Sequence, residues 1–346
     1  MGRQPLIRRD WKLWNGRTAW RADGSLTVCA AAVGLLPLIT GCGGPARSGS
    51  APRSASHRVG ARFAQRSPQR SPSSFPVTLK DALGVRVTIT RPPLRIISLA
   101  PSATEILFDI GAGRRVVAVT TQDDYPPQVK RLPRIGDFMS PSAEKILGFR
   151  PELVVAARGN SGALLASLQR LKVKVFAVDP RSAAQVEQTV QDLGKLTGFD
   201  VGAQKVAERM KRTTQSVQAS LRGERPVTGL IEVGHDPLFA AGPGTVASDA
   251  LRLAGGKNVA PNSPTGYPQL SNESVLALNP ASLFIGETGV TLTAVEKRPG
   301  WNQLAAVRSG RVFMIDPALI SRPAPRIVIA IEEMAKDLHP HAFTPR

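Results

Sequence analysis

One stretch of the chain occurs twice, and that repetition constrains the fold more than any other feature. Ser142-Ala-Glu144 leads through Ile146-Leu147 to Pro151 and the apolar run Val154-Val155-Ala156; Ser271-Asn-Glu273 leads through Val275-Leu276 to Pro280 and Leu283-Phe284-Ile285. In both copies the proline stands seven residues after the glutamate. A serine at the helix start can accept a hydrogen bond from an unpaired backbone N–H. The glutamate then falls in the first turn, where negative charge suits the helix dipole. The aliphatic pair gives the short helix one buried side, and the proline ends it in an extended conformation. The apolar runs read as strands buried on both faces. Each copy is therefore a capped helix feeding a parallel strand. Two copies 129 residues apart, from 144 to 273, predict two lobes of similar build, each showing a glutamate at a helix tip. One first-turn glutamate alone would be no more than a good helix starter.

The segments around the first copy fit an α/β lobe. Val77 to Ile89 alternates apolar and polar residues around Asp81-Ala-Leu-Gly84 and predicts a β-hairpin. Arg95 to Leu99 predicts a strand, and Ser102 with Glu105 three residues on reads as a capping box for the helix that follows. Val116 to Val119 is the next strand, making a strand–helix–strand parallel unit. A helix over Leu164 to Leu171 and a strand over Val173 to Val178 complete the lobe. Ala183 to Leu196 and Val201 to about Leu221 both have helical periodicity, with Gly198 between them. Beyond them, Val227 to Val233 predicts the first strand of the second lobe, Gly234 to Phe239 a loop, and Ser248 to Leu253 a helix. Val312 to Ile315 predicts a strand, and the last helix begins at Arg322 to Arg326.

A length of 346 residues accommodates about two domains. The formal charge of +19 raises the question of nucleic acid, but its distribution answers it. Residues 1–41 carry a net +4 and residues 42–75 a net +6, and the body shows no Lys/Arg run interleaved with aromatics. No nucleic-acid partner is expected. Residues 1–41 read as a signal peptide, with a basic flank and an apolar run from Leu26 to Ile39 too short for a membrane span. The run ends Leu38-Ile39-Thr40-Gly41-Cys42, which resembles a bacterial lipobox; that resemblance implies lipidation at Cys42 and attachment to the membrane. Residues 42–75, rich in Ser, Pro, Arg and Gly, lack the apolar content to fold and read as a tether. The only other cysteine, Cys29, lies inside the signal, so the body has no cysteine chemistry.

Ile97-Ser-Leu-Ala-Pro101-Ser-Ala-Thr104-Glu105, Asp124-Tyr-Pro-Pro127, Gly136-Asp-Phe and Glu144-x-x-Leu147-x-x-x-Pro151-Glu-Leu-Val together resemble the metal-chelate class of ABC importer binding proteins, which carry cobalamin, siderophores or haem. The resemblance runs from about Arg95 to Leu338. It implies an α/β fold of two Rossmann-like lobes with central parallel sheets, joined by a single long helix, with the ligand cleft between the lobes. The division expected is a first lobe at 76–182, a helical connector at 183–225 and a second lobe at 226–346. It also implies a monomer, exported and lipid-anchored, that hands its chelate to a permease dimer and its ATPase, with Glu144 and Glu273 docking on permease arginines. No cofactor of its own is implied.

Loops at the carboxyl ends of parallel strands are where such sheets bind ligands. They supply Gln122, Phe138 and Arg158 from the first lobe and His235, Phe239, Tyr267 and Arg322 from the second as candidate ligand contacts. Aromatic faces suit a flat macrocycle such as a corrin, and arginines suit carboxylates or catecholates. Gln122 and Ala157 stand where cobalamin-binding relatives carry aromatics, and Asp137 stands where haem-binding relatives place a tyrosine after the glycine matching Gly136. A ferric siderophore is the alternative cargo within this class. No catalytic or metal-binding constellation emerges: there is no Gly-x-Ser-x-Gly elbow and no phosphate loop, and His339 and His341 sit on what reads as a frayed end. An enzyme on the same two-lobed, chelatase-like architecture would need catalytic side chains in the cleft, and none is offered.

Overall fold

Residues 75–344 are described by the computed structural model. The expected signal at 1–41, Cys42 and all but the last residue of the expected tether lie outside the described residues. A hairpin opens the body: β1 (Val77–Lys80) pairs antiparallel with β2 (Arg86–Ile89). Asp81 makes its turn, accepting hydrogen bonds at Oδ1 from the Leu83 and Val85 amides at 2.9 and 2.8 Å. Its Oδ2 accepts from the Ala177 amide at 3.2 Å, which ties the hairpin to the edge of the first sheet.

The first lobe then alternates strand and helix. β3 (Ile96–Ser98) is followed by α1 (Pro101–Asp109), β4 (Val116–Ala118), α2 (Ala143–Gly148), β5 (Leu153–Ala157), α3 (Gly162–Arg170) and β6 (Val175–Val178). The strands lie in the order β4-β3-β5-β6, all parallel, with Ile97 beside Val154 in register. The chain reverses its direction of travel across the sheet at β3, so the loops leaving β3 and β5 diverge and leave a crevice at their carboxyl ends. Ile97, Leu99, Val154, Ala156 and Leu168 are among the residues that form its core.

Two helices connect the lobes, where resemblance implied one. α4 (Ala183–Thr197) starts beside the second lobe, its first amide donating to Asp249 Oδ2 at 2.9 Å. It ends at Gly198, whose φ of 74° is the left-handed conformation that closes a helix. α5 (Asp200–Ser220) turns back antiparallel to it and spans about 30 Å. A Cβ on Gly202 would lie 2.0 Å from the Ile110 carbonyl oxygen at the end of α1, and Leu221 just past the helix packs at Gly255 in the second lobe.

The second lobe holds β7 (Val227–His235), β8 (Leu238–Ala240), α6 (Val246–Leu253), β9 (Gly256–Asn258), α7 (Asn272–Leu278), β10 (Ser282–Ile285), α8 (Leu292–Glu296), α9 (Ala305–Arg308), β11 (Val312–Met314), α10 (Pro317–Ser321) and α11 (Ile327–Leu338). β11, β10, β7 and β9 run parallel, while β8 turns back antiparallel on the end of β7. This sheet is mixed, not wholly parallel, and Gly234 to Phe239 is a tight hairpin instead of the loop expected. Trp301, fully buried, anchors its core with Leu230, Leu283 and Ile285. Arg298 stacks 4.4 Å from the Trp301 ring and holds Glu232, a buried carboxylate within β7, by bonds of 2.5 and 2.8 Å.

The repeated stretch folds as its chemistry dictates. Ser142 Oγ accepts from the Lys145 amide at 3.3 Å, and Ser271 Oγ from the Ser274 amide at 3.2 Å. Ile146 and Val275 are fully buried beneath the two helices, whereas Leu147 is exposed and Leu276 packs only partly. α2 feeds β5 and α7 feeds β10. The two copies also end alike: Arg150 and Asn279, each just before the proline, take positive φ values of 48° and 39°.

Two other expectations are corrected. Ser102 is no cap: α1 begins at Pro101 with Ala100 before it and no side-chain cap bond, because proline is already suited to the first helical position. Glu105 therefore lies a full turn into the helix, buried. His339 is not frayed; it is buried at the end of α11, with Nε2 3.2 Å from the Gly255 carbonyl and Nδ1 3.5 Å from Glu224.

Candidate functional site

A cavity of about 420 Å³ opens where the carboxyl ends of β3, β5 and β6 and the loop after β4 meet the Ser321–Pro323 segment of the second lobe. That volume falls within the roughly 300–1,000 Å³ of small-molecule pockets. Gln122, Phe138, Arg158 and Arg322 all line it, so the structure brings together four of the seven expected contacts. His235, Phe239 and Tyr267 are not part of its wall. A larger hollow of about 630 Å³ lies elsewhere, between Arg181–Ser182 and the outer side of α6, and contains none of the expected residues.

The wall residues are held from behind. The Phe138 amide donates to Gln122 Oε1 at 2.9 Å, and the Phe138 carbonyl accepts from Asn160 Nδ2 at 2.7 Å. Asn160 is buried; it also donates to the Leu99 carbonyl at 3.0 Å and accepts from the Ala157 amide at 2.8 Å. One side chain thus fastens the ends of β3 and β5 to the loop carrying Phe138. The Phe138 ring lies so close over Gly159 that a Cβ there would sit 2.8 Å from its Cζ. Arg158 reaches Asp179 Oδ2 at 3.3 Å, and Arg181 holds the same oxygen from the other side at 3.1 Å. Arg134 stiffens the loop after β4, donating to the Thr120 and Asp123 carbonyls at 2.7 and 2.8 Å. Burial pushes the Asp123 carboxyl above its ordinary range, against the hydrogen bonds it accepts from the Thr120 amide and hydroxyl.

At one side of the cavity the lobes are tied together. Arg322 Nη1 donates to Asp124 Oδ1 at 2.5 Å and lies 3.5 Å from Glu105 Oε1. Arg326 donates to both Glu105 oxygens, at 2.6 and 2.8 Å, and its guanidinium stacks 3.9 Å from the Tyr125 ring. The bond from Arg322 holds the Asp124 carboxyl below its usual range, and burial pushes the Tyr125 phenol up. Sequence reasoning missed Glu105, Asp124, Tyr125, Arg326 and Asn160. Glu105 reads as a cap by spacing alone, and only the Pro101 before it signals that the helix has already begun.

The three remaining candidates lie on the second lobe. His235 Nδ1 is 2.8 Å from Glu287 Oε1, on the loop after β10. Phe239 is half-buried and bridges to Gln269. Tyr267 is partly exposed; burial of its hydroxyl raises the phenol against the pull of Arg181, so it sits within electrostatic reach of the segment that follows β6. Glu144 and Glu273 are both exposed in the first turns of α2 and α7. The Glu273 carboxyl is held below its ordinary range by its own backbone amide and the Ser271 hydroxyl. Among the described residues no group of three or more His, Cys, Asp or Glu is placed to hold a metal ion, and no helix is long and apolar enough to cross a membrane.

Comparison with known proteins agrees with this architecture. A family model described as periplasmic binding protein matches residues 96–319. An uncharacterized ABC transporter substrate-binding lipoprotein of Bacillus subtilis, YvrC, is 34% identical over 277 residues, covering 78% of this chain and 87% of its own. The crystal structure of the periplasmic vitamin B12 binding protein of Vibrio cholerae superposes with a TM-score of 0.65 at 28% identity, covering 73% of this chain and 99% of that one. A periplasmic heme-binding protein from Roseiflexus sp. RS-1 superposes with a TM-score of 0.63 at 28% identity, covering 72% and 98%. With two α/β lobes, a cavity where they meet and a match across most of the body, the chain belongs to the periplasmic binding protein family.

Proposed function

We propose that this chain is an extracytoplasmic solute-binding protein that captures a metal chelate, a corrinoid in first place, in the cavity between its lobes and delivers it to an ABC importer. The observation that carries the reading is the convergence of Gln122, Phe138, Arg158 and Arg322 on one cavity at the strand ends, in a family whose vitamin B12-binding member shares the fold. Phe138, fastened by Gln122 and Asn160, offers an aromatic face for a flat macrocycle, and the arginines offer donors to its peripheral oxygens. Asp137 stands where a haem-ligating tyrosine is expected, which favours a corrinoid over haem. The second reading is a ferric siderophore, favoured by two arginines in the wall of a single cavity.

Glu144 and Glu273, exposed on matching helix tips, are the docking contacts with the permease dimer. Cys42 carries the lipid that keeps the protein at the membrane. The protein acts by binding, without turnover. Titration of the purified protein with cyanocobalamin, cobinamide, haemin and a set of ferric siderophores, followed by absorbance and calorimetry, tests the cargo. Saturable one-to-one binding of a corrinoid supports the first reading; selective binding of a ferric siderophore replaces it with the second.

A further inference from the structure

Arg322 belongs to two structures at once. Arg322 is part of the cavity wall, and its guanidinium reaches across the lobes to Asp124 at 2.5 Å. Four residues on, Arg326 makes the deeper tie, with both Glu105 oxygens engaged and the Tyr125 ring stacked on it. The two ties differ in what surrounds them. The Glu105 side chain is 1% exposed, so a loss of its partner strands a charge away from water. The Asp124 side chain is 61% exposed, so water can replace its partner at little cost, and Arg322, only 19% exposed, also has Glu105 Oε1 at 3.5 Å as a second partner. Arg326–Glu105 is therefore the fixed contact and Arg322–Asp124 the releasable one. The releasable contact is also the one whose arginine lines the cavity, as Arg326 does not.

We propose that Arg322 is a positioning residue that couples occupancy of the cavity to the contact between the lobes. Asp124 and an oxygen of the chelate, whether a carboxylate, a phosphodiester or an amide carbonyl, compete for the one guanidinium. Arg326–Glu105 remains closed as the pivot about which Arg322 changes partner. Asp124 thereby sets the affinity for the ligand without touching it, and a chelate lacking an acceptor at this point has nothing to exchange for Asp124. The inference rests on the reading of the cavity as the chelate site.

The experiment is a double-mutant cycle on the full chain, with cyanocobalamin and haemin as probes. Asp124→Asn weakens the competitor while keeping its size, and an exposed ion pair is worth up to about fivefold in binding. The expected result is a two- to fivefold tightening in Asp124→Asn, a loss of about tenfold or more in Arg322→Ala, and partial recovery in Arg322→Lys. In the Arg322→Ala background, Asp124→Asn changes affinity less than twofold, because the competition has lost its object. A merely structural tie would instead make Asp124→Asn neutral or weakening, or equal in both backgrounds; any of these overturns the coupling and leaves the chelate reading standing. Failure of the native chain to bind cyanocobalamin, haemin or any of the ferric siderophores, with hydrogen exchange of the 321–326 amides unchanged by all of them, overturns the coupling and the reading together.

Discussion

Glu105 and Arg326, 221 residues apart in sequence, meet through two hydrogen bonds of 2.6 and 2.8 Å that fasten the first lobe to the second. Both side chains are largely removed from water, at 1% and 12% exposure. Removing one partner of a buried pair leaves the other uncompensated, at a cost of about 3–5 kcal/mol. Glu105→Ala is expected to destabilise the protein by that order, read as a lowered urea midpoint. A change under about 1 kcal/mol would show that the lobes are held together by other contacts.

Asp109, one turn beyond Glu105 on α1, has its pKa raised from 3.8 to about 6. Burial is the main cause and the nearby Glu105 adds to it, while Arg209, 3.6 Å away, and Arg326 oppose it. The native chain therefore keeps this proton over a range in which the unfolded chain has lost it. Stability contributed by this group falls as pH rises from about 4 to about 6 and is level above that. Asp109→Asn is expected to remove the slope and to raise stability at pH 7 by at most about 3 kcal/mol. Thermal unfolding of both proteins between pH 4 and 8 checks this; parallel curves would contradict it.

Gly202 sits in the first turn of α5, where helix propensity alone predicts that alanine would stabilise by at most about 1 kcal/mol. Packing reverses the sign, because the new methyl would lie 2.0 Å from the Ile110 carbonyl oxygen and α1 and α5 would have to separate. Gly202→Ala is expected to destabilise by about 1–3 kcal/mol, the usual range for overpacking. Chemical denaturation decides the sign.

Glu144 and Glu273 are exposed and do not line the cavity between the lobes. Rim charges set register and association rate across an interface. Glu144→Arg with Glu273→Arg is expected to leave chelate affinity within twofold of native and to abolish uptake in cells. Normal uptake by the double variant would remove the docking assignment.

The local structure was legible wherever a residue pattern had one physical solution. Ser142 and Ser271 cap their helices, and the apolar runs at 154–156 and 283–285 are buried strands, because capping and burial are decided within a few residues. The connector was legible as two helical runs from periodicity and Gly198, and resemblance obscured it by implying one helix. In the site, Gln122, Phe138 and Arg158 follow from their places after strands, whereas Arg322, expected in a strand-end loop, stands at the end of α10. Glu105, Asp124 and Arg326 do not follow in this way, because an ion pair across 198 to 221 residues has no local signal. Asn160 escaped for a different reason: its three bonds go to backbone groups on separate segments, which no spacing rule encodes.

Calorimetric titration of cyanocobalamin into the native protein and into Phe138→Ala tests most directly whether the cavity between the lobes is the chelate site. Phe138 is half-buried at the cavity wall and its backbone is fastened by Gln122 and Asn160, so the loop should keep its course when the ring is removed. The account predicts one-to-one binding by the native chain and a loss of about tenfold or more in the variant, with unfolding temperature nearly unchanged. Binding of equal strength in both proteins, or no binding of any chelate by the native chain, would contradict it.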